Sequence, residues 1–186
     1  GEVWCQGFSE PDAGSDLASL QTKAVRDGDQ YVVSGQKVWT SWAREADWCM
    51  LLARTDPDAP KHKGISAFAV PMDQPGIEQL PLKMINGITR EFGEVIFDGA
   101  RVPAANMIGQ PGEGWRVAMT VLNHEREPQE LGNASRYAKT VNQHTELAKS
   151  KDGLDDEQRR QLAWAIVESD MLRHLVSRRL SDRLDG

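Results

Sequence analysis

The chain has 186 residues, enough for one large domain or two small ones, and its 28 acidic and 22 basic side chains leave a net charge of −6. That balance argues against a broad nucleic-acid surface, and no apolar run approaches the roughly 18 residues of a membrane span. No signal-peptide pattern is expected, and Cys5 and Cys49 have neither metal nor redox spacing, which points to free thiols in a reducing, cytoplasmic compartment.

Residues 1–109 read as β-rich. Val3 to Phe8 predicts a strand leading into Ser9-Glu10-Pro11-Asp12-Ala13-Gly14-Ser15-Asp16. Leu20 to Arg26 alternates and stops at the turn sequence Asp27-Gly28-Asp29. Gln30 to Ser41 is rich in Tyr, Val and Trp with Ser34-Gly35 in its middle, the mark of a hairpin or a bulged strand. Asp47 to Arg54 is nearly continuously apolar, as suits a buried strand, and Thr55 to Lys63 is an exposed polar loop. Ile65 to Val70 and Gly93 to Phe97 supply two further strands. Many short strands divided by Gly/Pro turns suggest a small barrel or sandwich.

The pattern changes at Gly109-Gln110-Pro111-Gly112. Trp115, Ala118, Met119 and Leu122 follow helical spacing, and Pro128 is expected to kink the helix or restart it. Gly132 to Ala148 continues as helix, and Lys149 to Asp156 is a charged break. Asp155-Asp156-Glu157-Gln158 has the form of an N-cap with a reciprocal Gln three residues on. Behind it Leu162, Ile166, Val167, Met171, Leu172, Leu175 and Val176 predict a wide apolar face for a bundle partner. The expected organisation is thus an α+β fragment: a β domain over 1–109, then over 110–186 the start of a helical bundle.

Two stretches carry candidate chemistry. In the first, Pro11 fixes the bend and Gly14 permits a backbone angle or close approach that a β-carbon forbids. Ser9 and Ser15 flank that bend with hydroxyls able to hold an anionic or carbonyl-bearing ligand; the same residues also suit an ordinary capped turn. Trp39-Thr40-Ser41 places an aromatic wall two residues from a hydroxyl, which fits a large planar ring with a polar edge, although a core tryptophan beside a solvated serine is the more ordinary reading of these residues alone. In the second, Asn123-His124-Glu125-Arg126 puts a carboxylate beside a cation, with Leu122 as apolar lining. A base of this kind can remove a proton next to a carbonyl, though Glu-Arg pairs also occur on solvated faces. Glu127 is a second, weaker candidate base, since it leaves the helix on another face. Rossmann and Walker glycine patterns are missing, and His62, His124, His144 and His174 are scattered without ligand spacing, so any redox chemistry calls for an organic cofactor and no metal is expected.

The string from Gly7 to Asp16 resembles the signature of the acyl-CoA dehydrogenase family. Ser34-Gly35-Gln36-Lys37, Trp39-Thr40-Ser41, Phe97-Asp98 with Arg101-Val102-Pro103, and Gly112-Glu113-Gly114-Trp115 follow in that family's order. The resemblance implies FAD as cofactor, with Trp39 packed on the flavin, Ser41 bonding its reactive edge and Ser9 its pyrimidine side. It implies phosphate or substrate contacts at Gly14 and Ser15, and backbone contacts from Gln6 and Phe8. Glu125 stands where some branches place the catalytic base; other branches carry theirs on a later helix. Leu122, Asn123 and Arg126, with Ser15, then fall on the substrate side. The Asn-His-Glu-Arg string is most similar to bacterial members acting on bulky acyl-CoA thioesters, steroid side chains included. The implied reaction yields a 2,3-enoyl-CoA, as in β-oxidation, with an electron-transfer flavoprotein or similar acceptor and a homo- or hetero-tetrameric assembly.

Family members carry helices before and after this region, so the expectation is a middle portion of a longer enzyme. One departure stands out: Asn142 to Gly153 lacks the Arg-x-x-Phe-Gly that most members use to reach a neighbouring subunit's flavin, which favours a hetero-oligomer with divided duties. Two other readings are a flavin monooxygenase or oxidase on the same fold, distinguished by oxygen replacing the electron-transfer partner, and a non-catalytic subunit. Intact Ser9, Trp39, Ser41 and Glu125 speak against the last, and the missing motif speaks for it.

Overall fold

A computed structural model of the chain describes residues 1–87, 91–150 and 154–184, without the side chains of 126–131 and 183–184. The chain forms two compact units, Gly1–Thr120 and Val121–Gly186. The first is built on an eight-stranded sheet: β1 (Trp4–Gly7), β2 (Lys23–Asp27), β3 (Gln30–Ser41), β4 (Trp48–Arg54), β5 (Ile65–Pro71), β6 (Ile77–Pro81), β7 (Phe92–Pro103) and β8 (Met107–Ile108). Strand order is β6-β7-β3-β2-β4-β5-β8, and β1 pairs with β4 off this path. Tyr31 on β3 and Phe68 on β5 are not sheet neighbours, yet their rings lie 5.0 Å apart. The sheet therefore curls over a single core that includes Val33, Leu51, Phe68, Val70, Val95 and Val102. This is the β domain that the short alternating segments predicted.

β4 explains the nearly unbroken apolar run. Its Trp48–Arg54 register is paired antiparallel with β5 along one edge. The other edge takes β1 in parallel at Trp48–Leu51 and β2 at Arg54. A strand covered on both edges and both faces has no solvent side to make polar. Gly7 lets β1 seat closely there, since a Cβ at that position would stand 2.8 Å from Cys49 Sγ and 3.1 Å from Leu51 Cδ1.

β3 is one strand of 12 residues rather than a hairpin, and it pairs with β7 through two irregularities. At the first, Val33 faces Ala100 and Ser34 faces Asp98, so the extra residue is Gly99 of β7, whose φ of 74° favours glycine. At the second, Lys37 faces Val95 and Thr40 faces Gly93. Val38 and Trp39 thus oppose the single residue Glu94. β6, β8 and the extension of β7 from Asp98 to Pro103 were not read from sequence: β6 is half-exposed and polar, and β8 is two residues long.

In the second unit α1 (Gly114–Ser150) begins in the β unit and runs on, and α2 (Asp156–Leu184) follows. α1 is a single helix of 37 residues, so Pro128 does not restart it. The missing donor and ring clash of a proline act on one turn, and the turns on either side carry the helix through. The reciprocal cap of α2 is formed: the Gln158 amide donates to Asp155 Oδ1 at 2.8 Å, and the Asp155 amide donates to Gln158 Oε1 at 3.2 Å. The wide apolar face divides in two. Leu162, Leu172 and Val176 are at least half-buried together with Ala165 and Ser169, whereas Ile166, Val167, Met171 and Leu175 are exposed.

Candidate functional site

The first candidate stretch is a tight turn pinned at both ends. Glu10 and Ala13 exchange backbone hydrogen bonds at 2.9 and 3.1 Å, with Pro11 and Asp12 between them. The Glu10 side chain is buried beneath the turn. Its carboxylate accepts from the Gln21 amide at 2.6 Å and the Thr22 amide at 2.9 Å, and its Oε1 lies 2.8 Å from Lys37 Nζ. Lys37 is fully buried and also donates to the Phe8 carbonyl at 3.0 Å. Further along, Asp16 meets Lys61 Nζ at 2.8 Å and accepts from the Ser19 hydroxyl, which closes the loop into the short 3-10 turn Leu17–Ser19.

Electrostatics follow from that burial. Loss of water would raise the Glu10 carboxyl, but the Lys37 charge and the hydrogen bonds it receives outweigh this and hold it below its ordinary range. Burial pulls the Lys37 ammonium down, opposed by Glu10. Neither residue stood among the predicted site residues. The signal was available: Lys37 continues the inward alternation of Tyr31 and Val33, and a lysine at an inward strand position requires a buried counter-charge.

The two motifs meet on this frame. The Val38 amide, at the first residue of the bulge, donates to the Ser9 carbonyl at 2.9 Å. The bulge shifts the phase of β3, so that Lys37 and Thr40 both point inward while Trp39 and Ser41 point out. Trp39 has φ 60° and is 59% exposed, with its ring edge-on to Phe92 at 6.2 Å. Trp42, which sequence reasoning passed over, repeats the pattern with φ 59° and 56% exposure. Left-handed backbone at a bulky residue costs about 1–3 kcal/mol, and such strain concentrates at binding sites. Between them Thr40 Oγ1 is buried without a hydrogen-bond partner among the described residues.

Gln6 and Ser9 are half-buried, Phe8 is buried, and Ser15 and Ser41 are exposed. Gly14 does not adopt a left-handed angle, and nothing lies within 4 Å of where its Cβ would stand. The expectation of an unusual backbone angle or a close approach there is corrected: neither is found, and the position of the missing β-carbon faces open space. The structure thus joins Phe8, Ser9, Trp39 and Ser41 around one frame, with Gly14 and Ser15 at the far end of the same loop.

Leu122, Asn123 and Glu125 belong to the second unit, on α1, where Leu122 is half-buried and Asn123 and Glu125 are exposed. The side chains of Arg126 and Glu127 lie outside the described residues. The apolar groove between α1 and α2, lined by Val141, His144, Leu147, Leu162 and Ala165 among others, holds none of the candidate residues. Cys5 and Cys49 are register partners across β1 and β4, both buried and unbridged.

Residues 5–100 match the model of the acyl-CoA dehydrogenase middle domain. The acyl-CoA dehydrogenase IpdE1 of Mycobacterium tuberculosis is 51% identical over 155 residues, which is 83% of this chain and 40% of the relative. FadE34 of the same organism, also an acyl-CoA dehydrogenase, is 54% identical over 132 residues, 71% of this chain and 18% of the relative. Among solved structures, the Tcur3481-Tcur3483 steroid ACAD superposes with a TM-score of 0.82 at 37% identity, covering 95% of this chain and 46% of that one. The chain therefore spans less than half the length of these relatives. Its β unit, its motif loop and this similarity together make the chain a member of the acyl-CoA dehydrogenase family.

Proposed function

We propose that this chain supplies the flavin-binding middle domain, over about 1–109, and the start of the helical domain, over 110–186, of an enzyme that oxidises acyl-CoA thioesters to 2,3-enoyl-CoA. The observation that carries the reading is the joining of the Ser9 loop to the Trp39–Ser41 bulge by the Val38–Ser9 hydrogen bond. The residues present fit FAD. Trp39 offers an exposed aromatic face, Ser9 and Ser41 offer hydroxyls, and the missing β-carbon of Gly14 leaves room for a phosphate-bearing group beside Ser15. Gln6 and Phe8 line the approach through their backbone.

FAD supplies the hydride acceptor for the substrate β-carbon. Glu125 removes the α-proton onto its carboxylate, and Leu122, Asn123 and Arg126 line the thioester side. A bulky acyl group, such as a steroid side chain, is the substrate class favoured by the likeness to a steroid ACAD. Electrons leave to an electron-transfer flavoprotein or similar acceptor, and the working form is a tetramer.

The test is purification of a protein carrying this chain at its relatives' full length. Visible flavin absorbance is expected as isolated, and it bleaches anaerobically with a steroid side-chain acyl-CoA faster than with butyryl-CoA. A colourless preparation that takes up no added FAD overturns the reading.

A further inference from the structure

We propose that the buried Lys37–Glu10 ion pair is the positioning element of the flavin site, locking the Ser9–Ser15 loop to the Trp39–Ser41 bulge. The inference rests on the flavin reading above and adds residues to it.

The bonds of the pair run to both ends of the loop. Lys37 Nζ fixes the Phe8 carbonyl at 3.0 Å where the loop departs. The Glu10 carboxylate fixes the Gln21 and Thr22 amides where it returns. One ion pair of 2.8 Å thereby closes residues 8–22 into a frame, and Ser9, Gly14 and Ser15 sit on it. Lys37 is also the last residue of β3 before the bulge that turns Trp39 and Ser41 outward. A change at this one pair shifts both halves of the cradle together.

Stability alone is a poor reason for such a pair. Two buried charges lose hydration that their mutual attraction only roughly repays, and a well-packed apolar pair is often as stable or more so. Apolar side chains, however, cannot hold a carbonyl and two amides in fixed directions. What the ion pair contributes beyond packing is direction, and the loop that receives it carries the candidate cofactor contacts.

Three variants of the full-length protein separate positioning from stability: Lys37→Met, Glu10→Gln and the double variant. Thermal unfolding and the FAD dissociation constant, from quenching of free FAD fluorescence, are measured on each. Each single change leaves a buried partner uncompensated and lowers the melting temperature. The double variant recovers stability because no lone charge remains, yet it binds FAD about tenfold or more weakly, since a loop no longer held in its bound geometry must be ordered when the ligand binds. A double variant that is stably folded and binds FAD with the parental constant overturns the inference while leaving the flavin reading standing. Failure of the unaltered protein to bind FAD overturns both.

Discussion

The Val38 amide donates to the Ser9 carbonyl across 2.9 Å, joining two segments 29 residues apart in sequence at the first residue of the bulge that carries Trp39. That single bond brings the serine of the first motif beside the tryptophan of the second, and the expected behaviour of Trp39 follows from it. Trp39→Gly removes an exposed ring and relieves a left-handed backbone that costs a tryptophan about 1–3 kcal/mol. The β unit should lose little stability, while flavin retention on a desalting column falls. A variant that is both less stable and fully flavin-loaded contradicts the assignment of Trp39 to the cofactor.

Ser41 points outward two residues beyond Trp39 and is exposed. Ser41→Ala should leave flavin affinity near the parental value and slow flavin reduction in stopped flow by roughly 100-fold, the lower end of what loss of one donor to developing charge costs. Parental reduction rates would remove Ser41 from the reactive edge.

Glu125→Gln retains shape and polarity and removes the proton acceptor. With a positioned base contributing about 10²–10⁴-fold, substrate-driven bleaching should slow by that factor while flavin content and acyl-CoA binding persist. Glu127→Gln should do little, because helix positions two residues apart stand about 200° apart around the axis. Parental bleaching by Glu125→Gln would assign the base to another helix.

Glu10 predicts the acid limb of stability. A carboxyl held below its ordinary value of 4.5 stabilises the fold above that value and loses the contribution as pH falls through the lower folded pKa. The urea midpoint of the parent should fall as the pH drops below about 5. Glu10→Gln should start lower and fall less steeply over the same window. Parallel curves would show that Glu10 does not titrate with unfolding.

Packing of β1 on β4 gives a paired test. Gly7→Ala places a carbon 2.8 Å from Cys49 Sγ and should cost about 1–3 kcal/mol through overpacking. Adding Cys49→Ala removes that sulfur, so the double variant should recover part of the loss, as contacting residues couple. Strict additivity in denaturant melts would count against the contact.

Sequence made much of this legible where a pattern is local. The turn at Pro11, the apolar β4 run and the Asp155–Gln158 cap each depend on residues a few positions apart, and each was readable. What escaped depends on distant partners. Lys37 needs Glu10, 27 positions earlier, and Cys5 meets Cys49 only because β1 pairs in parallel with β4. The left-handed Trp39 arises from a bulge against Glu94 on a strand that starts more than 50 residues later. Periodicity sees apolar faces and turn residues; it does not see register between strands.

β1 and β2 occupy the same edge of β4, one at Trp48–Leu51 and the other at Arg54, and the Ser9 loop is the excursion between them. Both flanks are therefore zipped to a common strand independently of the peptide that links them. A cut at the exposed Gly14–Ser15 tip leaves each half anchored, so new chain ends placed there by circular permutation should be accepted by the β unit. The tip is thus dispensable as a tether, and the demands on its sequence come from what it holds.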